Sequence, residues 1–167
     1  RFTSPHPKDY PLPLLEAIEV VLQVADVLAN AHEKGVIHRD LKPENIMIRR
    51  GIRGVHAKVL DFGIAKLAPS VVGASSPRTQ TGALLGTPEY MAPEQVSGGA
   101  IDGRTDLYAC GVLLYELVTG QRPFGAEHVA RPLCRVLSED PPEPTRLCPE
   151  APPPLARLLA QLLAKDP

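Results

Sequence analysis

The chain has 167 residues and a formal net charge of −1, with hydrophobic and charged residues at 44% and 22%. A chain of this length fits about one domain, and these proportions exclude a wholly disordered protein. Because a net charge near zero creates no strong field, we predict no nucleic-acid partner and no membrane contact from this segment.

The first predicted element is an amphipathic helix over residues 14–34, where apolar side chains recur at three- and four-residue steps until Gly35. The polar stretch "HRDLKPEN" (38–45) follows it. Two β-prone runs, "NIMI" (45–48) and "VHAKVL" (55–60), then flank the loop "RRGIRG" and predict a hairpin. The polar stretch therefore lies between the end of a helix and the start of a strand.

The second half of the chain contains a long irregular segment and two further predicted helices. Residues 67–86 lack periodicity and are rich in Ser, Thr, Gly and Pro, which is typical of a functional loop. The run 105–120 is apolar nearly all round and predicts a helix buried in the core. Prolines cluster between Pro141 and Pro154 and indicate a connector, before a leucine-rich helical face at 155–163.

The three cysteines, Cys110, Cys134 and Cys148, are odd in number and lack metal-ligand spacing. We interpret them as reduced packing residues of a cytoplasmic protein. The histidines outside the polar stretch, among them His32, also lack ligand spacing, so we predict solvated or packing roles for them and no zinc site. No apolar run approaches the ~20 residues that span a bilayer.

The polar residues of this pattern fit phosphoryl transfer. That reaction needs a carboxylate to orient the attacking hydroxyl, oxygen ligands for Mg²⁺, and a cation for the moving phosphate. Asp40, the pair Asn45 and Asp61, and Lys42 are the candidates for these roles in that order. The predicted hairpin joins the two groups, because paired strands bring Asn45 and Asp61 to the same end. The alternative is that the acidic and amide residues are ordinary turn caps.

Three ordered motifs carry a family resemblance: "HRDLKPEN", "DFG" (61–63) and "APE" (92–94), the last within "GTPEYMAPE" (86–94). Together they resemble the C-terminal lobe of a eukaryotic-type (Hanks-type) Ser/Thr protein kinase. Residues 79–95 are most similar to the bacterial branch. The resemblance implies an α+β fold, mainly helical, with a short β-hairpin that carries the catalytic and DFG loops.

The resemblance also implies ATP and Mg²⁺ as cofactors and protein substrates as partners. By it, Asp40 is the catalytic base, Lys42 contacts the transferring phosphate, Asn45 and Asp61 hold Mg²⁺, and Met47 lies under the adenine. Further roles are implied for the remaining motif residues. Near the phosphates these are Glu44, a weaker candidate, and Thr87, which would bond to the base and the lysine. Structural roles fall to His38, Phe62, Gly63, Glu94 and Asp106, with Asp106 anchoring the backbone of the catalytic loop.

Regulation by phosphorylation is expected in the segment between "DFG" and "APE". We predict Thr81 as the modified residue and Thr79 as the second choice. By resemblance, the cations that would bind the phosphate are Arg39 and Lys66. The alternative is that both threonines are ordinary loop hydroxyls.

The chain opens at Arg1 and stops at Pro167 within a helical pattern, so we interpret residues 1–167 as a partial kinase domain. In that interpretation the N-terminal lobe is absent, the last helices are truncated, and Glu94 lacks an arginine partner. We therefore expect an active kinase only in a longer parent, which could be membrane-anchored elsewhere, and an inactive isolated fragment. Two rival functions are a pseudokinase or kinase-fold interaction module, and a small-molecule kinase, which "GTPEYMAPE" disfavours.

Overall fold

The computed structural model describes residues 2–4, 10–52, 54–62, 88–125 and 131–166. Within these ranges the chain forms five α-helices and one antiparallel hairpin. In chain order they are α1 (Leu14–His32), β1 (Ile46–Gly51), β2 (Gly54–Val59), α2 (Pro93–Ser97), α3 (Gly103–Thr119), α4 (Arg131–Ser138) and α5 (Pro153–Leu162). Short 3₁₀ turns lie at Pro43–Asn45, Pro88–Tyr90 and Pro144–Arg146.

Helix α3 is the centre of the core, as its apolar sequence predicts. Nearly every residue from Thr105 to Thr119 is buried, and both α1 and α5 pack against this helix. Gly111 permits the close approach of α5, since a Cβ at that position would lie 2.7 Å from the Cβ of Leu162. The helix begins at Asp102, whose carboxylate accepts a hydrogen bond from the Arg104 amide over 2.8 Å.

The predicted hairpin is confirmed, but its strands are longer than the sequence indicates. Ile46 pairs with Val59 at one end and Gly51 with Gly54 at the other, so most of "RRGIRG" belongs to the strands. Gly54, the first residue of β2, has φ +105°, a conformation that glycine adopts at no steric cost because it has no Cβ. The loop predicted from the sequence is longer than the observed turn because Arg49 and Arg50 lack the β-branched or aromatic side chains that indicate a strand.

Both edges of the two-stranded sheet are covered. On the outer edge of β1, the backbone of Thr3 exchanges hydrogen bonds of 2.8 and 2.7 Å with Ile48. On the outer edge of β2, the side-chain amide of Gln23 in α1 donates to the carbonyl of Val55 and accepts from the amide of Ala57, both over 2.9 Å. These contacts attach the hairpin to the helix that precedes it.

Two of the helices were not predicted. Helix α2 has only five residues and α4 only eight, with a single fully buried position among its described side chains, Val136. Both are shorter than the windows over which periodicity identifies a helix. Among the described residues, no helix combines the length and the apolar character that crossing a membrane requires.

The structure corrects part of the interpretation of the cysteines. All three are free, and Cys110 is buried, but Cys134 is exposed and so is not a packing residue. Cys148 lies between these extremes. Burial, with a further contribution from Asp106, raises the pKa of Cys110 to about 12, so this thiol stays protonated at neutral pH.

Candidate active site

The loop His38–Asn45 lies between α1 and β1, and its backbone is hydrogen-bonded to Asp106, a residue in the first turn of α3. Asp106 is fully buried, and its two carboxylate oxygens accept hydrogen bonds from the backbone amides of His38 and Arg39, each over 2.8 Å. The Nε2 of His32 lies 2.8 Å from the same carboxylate. A buried carboxylate requires such donors, and here two of them belong to the loop backbone itself.

These bonds explain an unusual backbone conformation. Arg39 has φ +65°, a left-handed conformation that costs a residue with a side chain roughly 1–2 kcal/mol. Its amide is bound by Asp106, and its carbonyl accepts a hydrogen bond of 2.9 Å from the side chain of Gln95 in α2. The loop is thus fixed on both sides of Arg39, which determines the direction in which Asp40 leaves it.

His38 links the loop to the end of the hairpin. Its Nδ1 lies 3.3 Å from the amide of Asp40, and its Nε2 lies 3.0 Å from the carbonyl of Leu60. An amide only donates and a carbonyl only accepts, so the ring carries its hydrogen on Nε2. The fully buried ring also packs against Phe62, with centroids 4.8 Å apart. These contacts tie the loop to the residues that follow β2.

A polar cluster lies in the loop that Asp106 anchors. It consists of Asp40, Lys42 and Asn45. The Nζ of Lys42 lies 3.1 Å from Oδ2 of Asp40. The side-chain amide of Asn45 donates to the carbonyl of Asp40 over 2.8 Å and approaches its Oδ2 at 3.4 Å. The side-chain nitrogen of Asn45 is used on Asp40, and its amide oxygen, which only accepts, takes no part in these bonds.

Asp61 is brought to the same end of the hairpin by the strand register. The amide of Leu60 donates to the carbonyl of Asn45 over 2.8 Å, so the residue after Leu60 follows directly beyond Asn45. Asp61 is exposed and has φ +48°, a conformation that aspartate tolerates better than most residues. An amide oxygen and an exposed carboxylate are the kind of ligands that Mg²⁺ prefers, and so these residues fit the metal.

The remaining described candidates lie around this cluster. Met47 is half-buried on β1, with the hydroxyl of Ser4 3.4 Å from its sulfur, and Glu44 is exposed. Glu94 accepts a hydrogen bond of 2.5 Å from the hydroxyl of Thr105, so it has a partner although we expected its arginine to be missing. Gly63, Lys66, Thr79, Thr81 and Thr87 lie outside the described residues.

Sequence reasoning missed two residues of this region. His32, interpreted as solvated or packing, instead joins the end of α1 to Asp106. Gln95 reaches back to the amide of Ala92 over 2.9 Å, and its other end holds the carbonyl of Arg39. The available signal for Gln95 was its position three residues after Ala92, the residue before a helix that has Pro93 as its first residue, a pattern typical of a helix N-terminus.

With this geometry in place, comparison with known proteins identifies the family. The protein kinase domain matches residues 6–167. The chain belongs to this family, as the three motifs predicted.

The similar proteins are bacterial Ser/Thr protein kinases, in agreement with the predicted branch. The serine/threonine-protein kinases Pkn1 and pkn3 of Myxococcus xanthus are 46% and 45% identical over 158 and 163 residues, which cover 94% and 96% of this chain. PknB of Mycolicibacterium smegmatis is 37% identical over 95% of the chain. The matched segments make up 22%, 30% and 24% of those three proteins, so the chain spans about a quarter of their length.

Proposed function

We propose that this chain is the C-terminal lobe of a bacterial Ser/Thr protein kinase and that it supplies the phosphoryl-transfer residues of the parent enzyme. The observation that carries the proposal is the polar cluster, in which the Asp40 carboxylate lies 3.1 Å from the Lys42 ammonium. This cluster stands on a loop backbone bound by the buried carboxylate of Asp106. A fixed carboxylate beside a fixed cation is what transfer of a phosphoryl group to a hydroxyl requires.

In this proposal Asp40 orients the Ser or Thr hydroxyl of an acceptor protein and accepts its proton. Lys42 lies beside the same carboxylate and neutralises charge on the phosphoryl group that leaves ATP. Holding both groups in one geometry removes much of the entropic cost of the reaction. The hydrogen bond from Asn45 to the Asp40 carbonyl keeps the base in place relative to the metal ligands.

Asn45 and Asp61 would hold Mg²⁺, through an amide oxygen and a carboxylate oxygen. When bound, the ion neutralises charge on the phosphates of ATP. Met47 would contact the adenine, and Thr87 would contact Asp40 and Lys42.

The experiment compares Asp40→Asn with Asp26→Asn in the full-length product of the encoding gene. Asp26 is an exposed carboxylate on α1, so the control makes the same chemical change away from the cluster. We expect Asp40→Asn to lower kcat for phosphorylation of casein about 10²–10⁴-fold, the usual contribution of a general base, with ATP affinity nearly unchanged. Asp26→Asn should match the wild type.

Two outcomes would contradict the proposal. Wild-type kcat in Asp40→Asn would remove the assignment of the base. A wild-type protein that binds ATP and transfers no phosphate to any protein would instead identify a pseudokinase or an interaction module.

We further propose that phosphorylation of Thr81, or of Thr79, regulates the enzyme. Support comes from Arg39, whose Nε is buried and has no hydrogen-bond partner among the described residues. A phosphate carries about 1.5–2 negative charges and would satisfy this donor, with Lys66 as a second cation. Mass spectrometry of the active protein should find phosphate on one of the two threonines. Full activity of the double alanine variant would contradict the proposal.

A further inference from the structure

A second charged network lies at the other end of α3, outside the polar cluster. Glu116 is 4% exposed, and its carboxylate accepts hydrogen bonds from the hydroxyl of Tyr90 and, over 3.2 Å, from Nε of Arg122. The same guanidinium donates from Nη1 to Glu89 over 3.1 Å and lies over the ring of Tyr90, 5.6 Å from its centroid. Arg122 therefore joins two carboxylates that belong to different segments.

The end of α3 explains how Arg122 reaches this place. Gly120 ends the helix with φ +74°, and its amide donates to the carbonyl of Glu116 over 2.8 Å. The hydroxyl of Thr119 accepts from the amide of Gln121 over 3.2 Å and tightens the turn. The chain consequently reverses, and Arg122 lies beside the helix that it has just left.

The network fixes the 3₁₀ turn Pro88–Tyr90. Glu89 is held by Arg122, and its other oxygen, Oε2, is buried without a hydrogen-bond partner among the described residues. Without the guanidinium, Glu89 and Glu116 would be two neighbouring, partly desolvated carboxylates with no cation between them, which is a strongly unfavourable arrangement. The position of the turn therefore depends on Arg122.

This turn is next to the polar cluster. Tyr90 and Met91 line the same small cavity as Asp40 and Lys42. A shift of the turn would change the surface that an acceptor hydroxyl must cross to reach Asp40. The carbonyl of Asp40 is held separately by Asn45, and the preceding amide of Arg39 is held by Asp106. The two charged networks thus control different parts of one site.

We propose that Arg122 is a positioning residue for the acceptor protein, which acts through Glu89 and Glu116 on the segment Pro88–Met91. The inference rests on the proposed function, since it concerns the same site. It assigns to Arg122 an effect on the binding of the acceptor and none on the reaction of ATP with water.

The test measures two reactions of the full-length protein, phosphorylation of an acceptor and hydrolysis of ATP without one. In Arg122→Gln we expect the KM for casein to rise about tenfold, equivalent to about 1.4 kcal/mol of binding free energy, with ATP hydrolysis within twofold of the wild type. Arg122→Lys should recover part of the loss, because it keeps the charge without the planar fork. The control is Arg104→Gln, which changes an exposed arginine on α3 and should alter neither reaction.

A second acceptor separates position from charge. Casein is acidic and myelin basic protein is basic, so displacement of the turn raises both KM values, whereas a purely electrostatic effect moves them in opposite directions. Glu89→Gln removes the charge of one of the two carboxylates that Arg122 binds, which perturbs the network less than Arg122→Gln. It should also raise both KM values, by a smaller factor than Arg122→Gln does.

Several results would overturn the inference. These are unchanged KM values in Arg122→Gln, opposite shifts for the two acceptors, or a loss of ATP hydrolysis in proportion to the loss of transfer, which would indicate general unfolding. A wild-type protein that binds ATP and phosphorylates no protein at all would reject the proposed function itself, and the inference with it.

Discussion

Helix α3 carries two buried carboxylates, Asp106 in its first turn and Glu116 near its end, and they are satisfied in different ways. Asp106 accepts from two successive backbone amides, those of His38 and Arg39. Among the described residues, Glu116 accepts from two side chains, the hydroxyl of Tyr90 and the guanidinium of Arg122. Both are nearly inaccessible to water, so the free-energy cost of burying each charge is comparable while the partners are not.

Because their donors differ, the two carboxylates hold different parts of the structure in place. Backbone amides cannot rotate away, so Asp106 determines the path of the loop whatever its side chains are. Side-chain donors have rotatable bonds, and Glu116 therefore determines where two segments meet while leaving their backbones some freedom. Backbone amides hold the loop that carries Asp40. Side-chain donors hold the segment that we propose to contact the acceptor protein.

The largest expected effect tests the backbone anchor. Asp106→Asn in the purified chain should lower the free energy of unfolding by about 3 kcal/mol, because an amide nitrogen replaces one acceptor opposite donors that cannot move. Urea denaturation measures it. The control is Asp102→Asn on the same helix, where Asn is as good a capping residue, and it should cost almost nothing. Equal losses at both positions would deny Asp106 its special role.

The side-chain network should tolerate the same kind of change better. Glu116→Gln should lower the free energy of unfolding by about 2 kcal/mol, since Arg122 and Tyr90 can readjust around the remaining amide oxygen. The same urea titration provides the value. A loss larger than that of Asp106→Asn would break the distinction between the two ends of the helix.

His32 is a side-chain donor to Asp106, the carboxylate that also accepts from two backbone amides. Its substitution therefore separates the contribution of the side-chain donor from that of the amides. His32→Ala should cost about 1 kcal/mol, because Asp106 retains both amide donors and the lost contact is partly exposed to solvent. His32→Gln, which keeps a donor, should recover part of this in thermal unfolding. A cost for His32→Ala equal to that of Asp106→Asn would show that the amides are secondary.

The smallest effect is a dependence on pH at the Glu116 end. Burial, followed by the neighbouring Glu116, raises the pKa of Tyr90 well above its ordinary value of 10.0. Above about pH 10 the unfolded chain loses this proton while the folded chain keeps it, so the free energy of unfolding falls as pH rises. Tyr90→Phe should show a shallower fall between pH 9 and pH 10.5. An identical slope would contradict the raised pKa.

Much of the fold follows from local patterns. The apolar periodicity of residues 14–34 and the apolar run at 105–120 predicted α1 and α3, and the two β-prone runs predicted the hairpin. Helix α4 is amphipathic, but its eight residues are too few for the sequence pattern to identify a helix, and so short a helix depends on contacts with other segments.

The candidate site also contains residues that the sequence identifies and residues that it does not. The motif residues Asp40, Asn45 and Asp61 stand out in the sequence, and the structure brings them to one end of the hairpin; their roles in catalysis stay predictions. His32 could not be found this way, because its partner Asp106 is 74 positions further along the chain. The network around Arg122 is equally non-local, since it joins residues from three segments.

The amide of Gln23 has a consequence for how this protein meets other copies of itself. By donating to Val55 and accepting from Ala57, one side chain imitates a neighbouring strand on the outer edge of β2. An extended peptide that arrives at this edge finds its backbone donor and acceptor already occupied, and Thr3 occupies Ile48 on the opposite edge. Unpaired edges are templates for cross-β growth. Gln23 and Thr3 therefore hinder the pairing of a further strand at the middle of each edge of the hairpin.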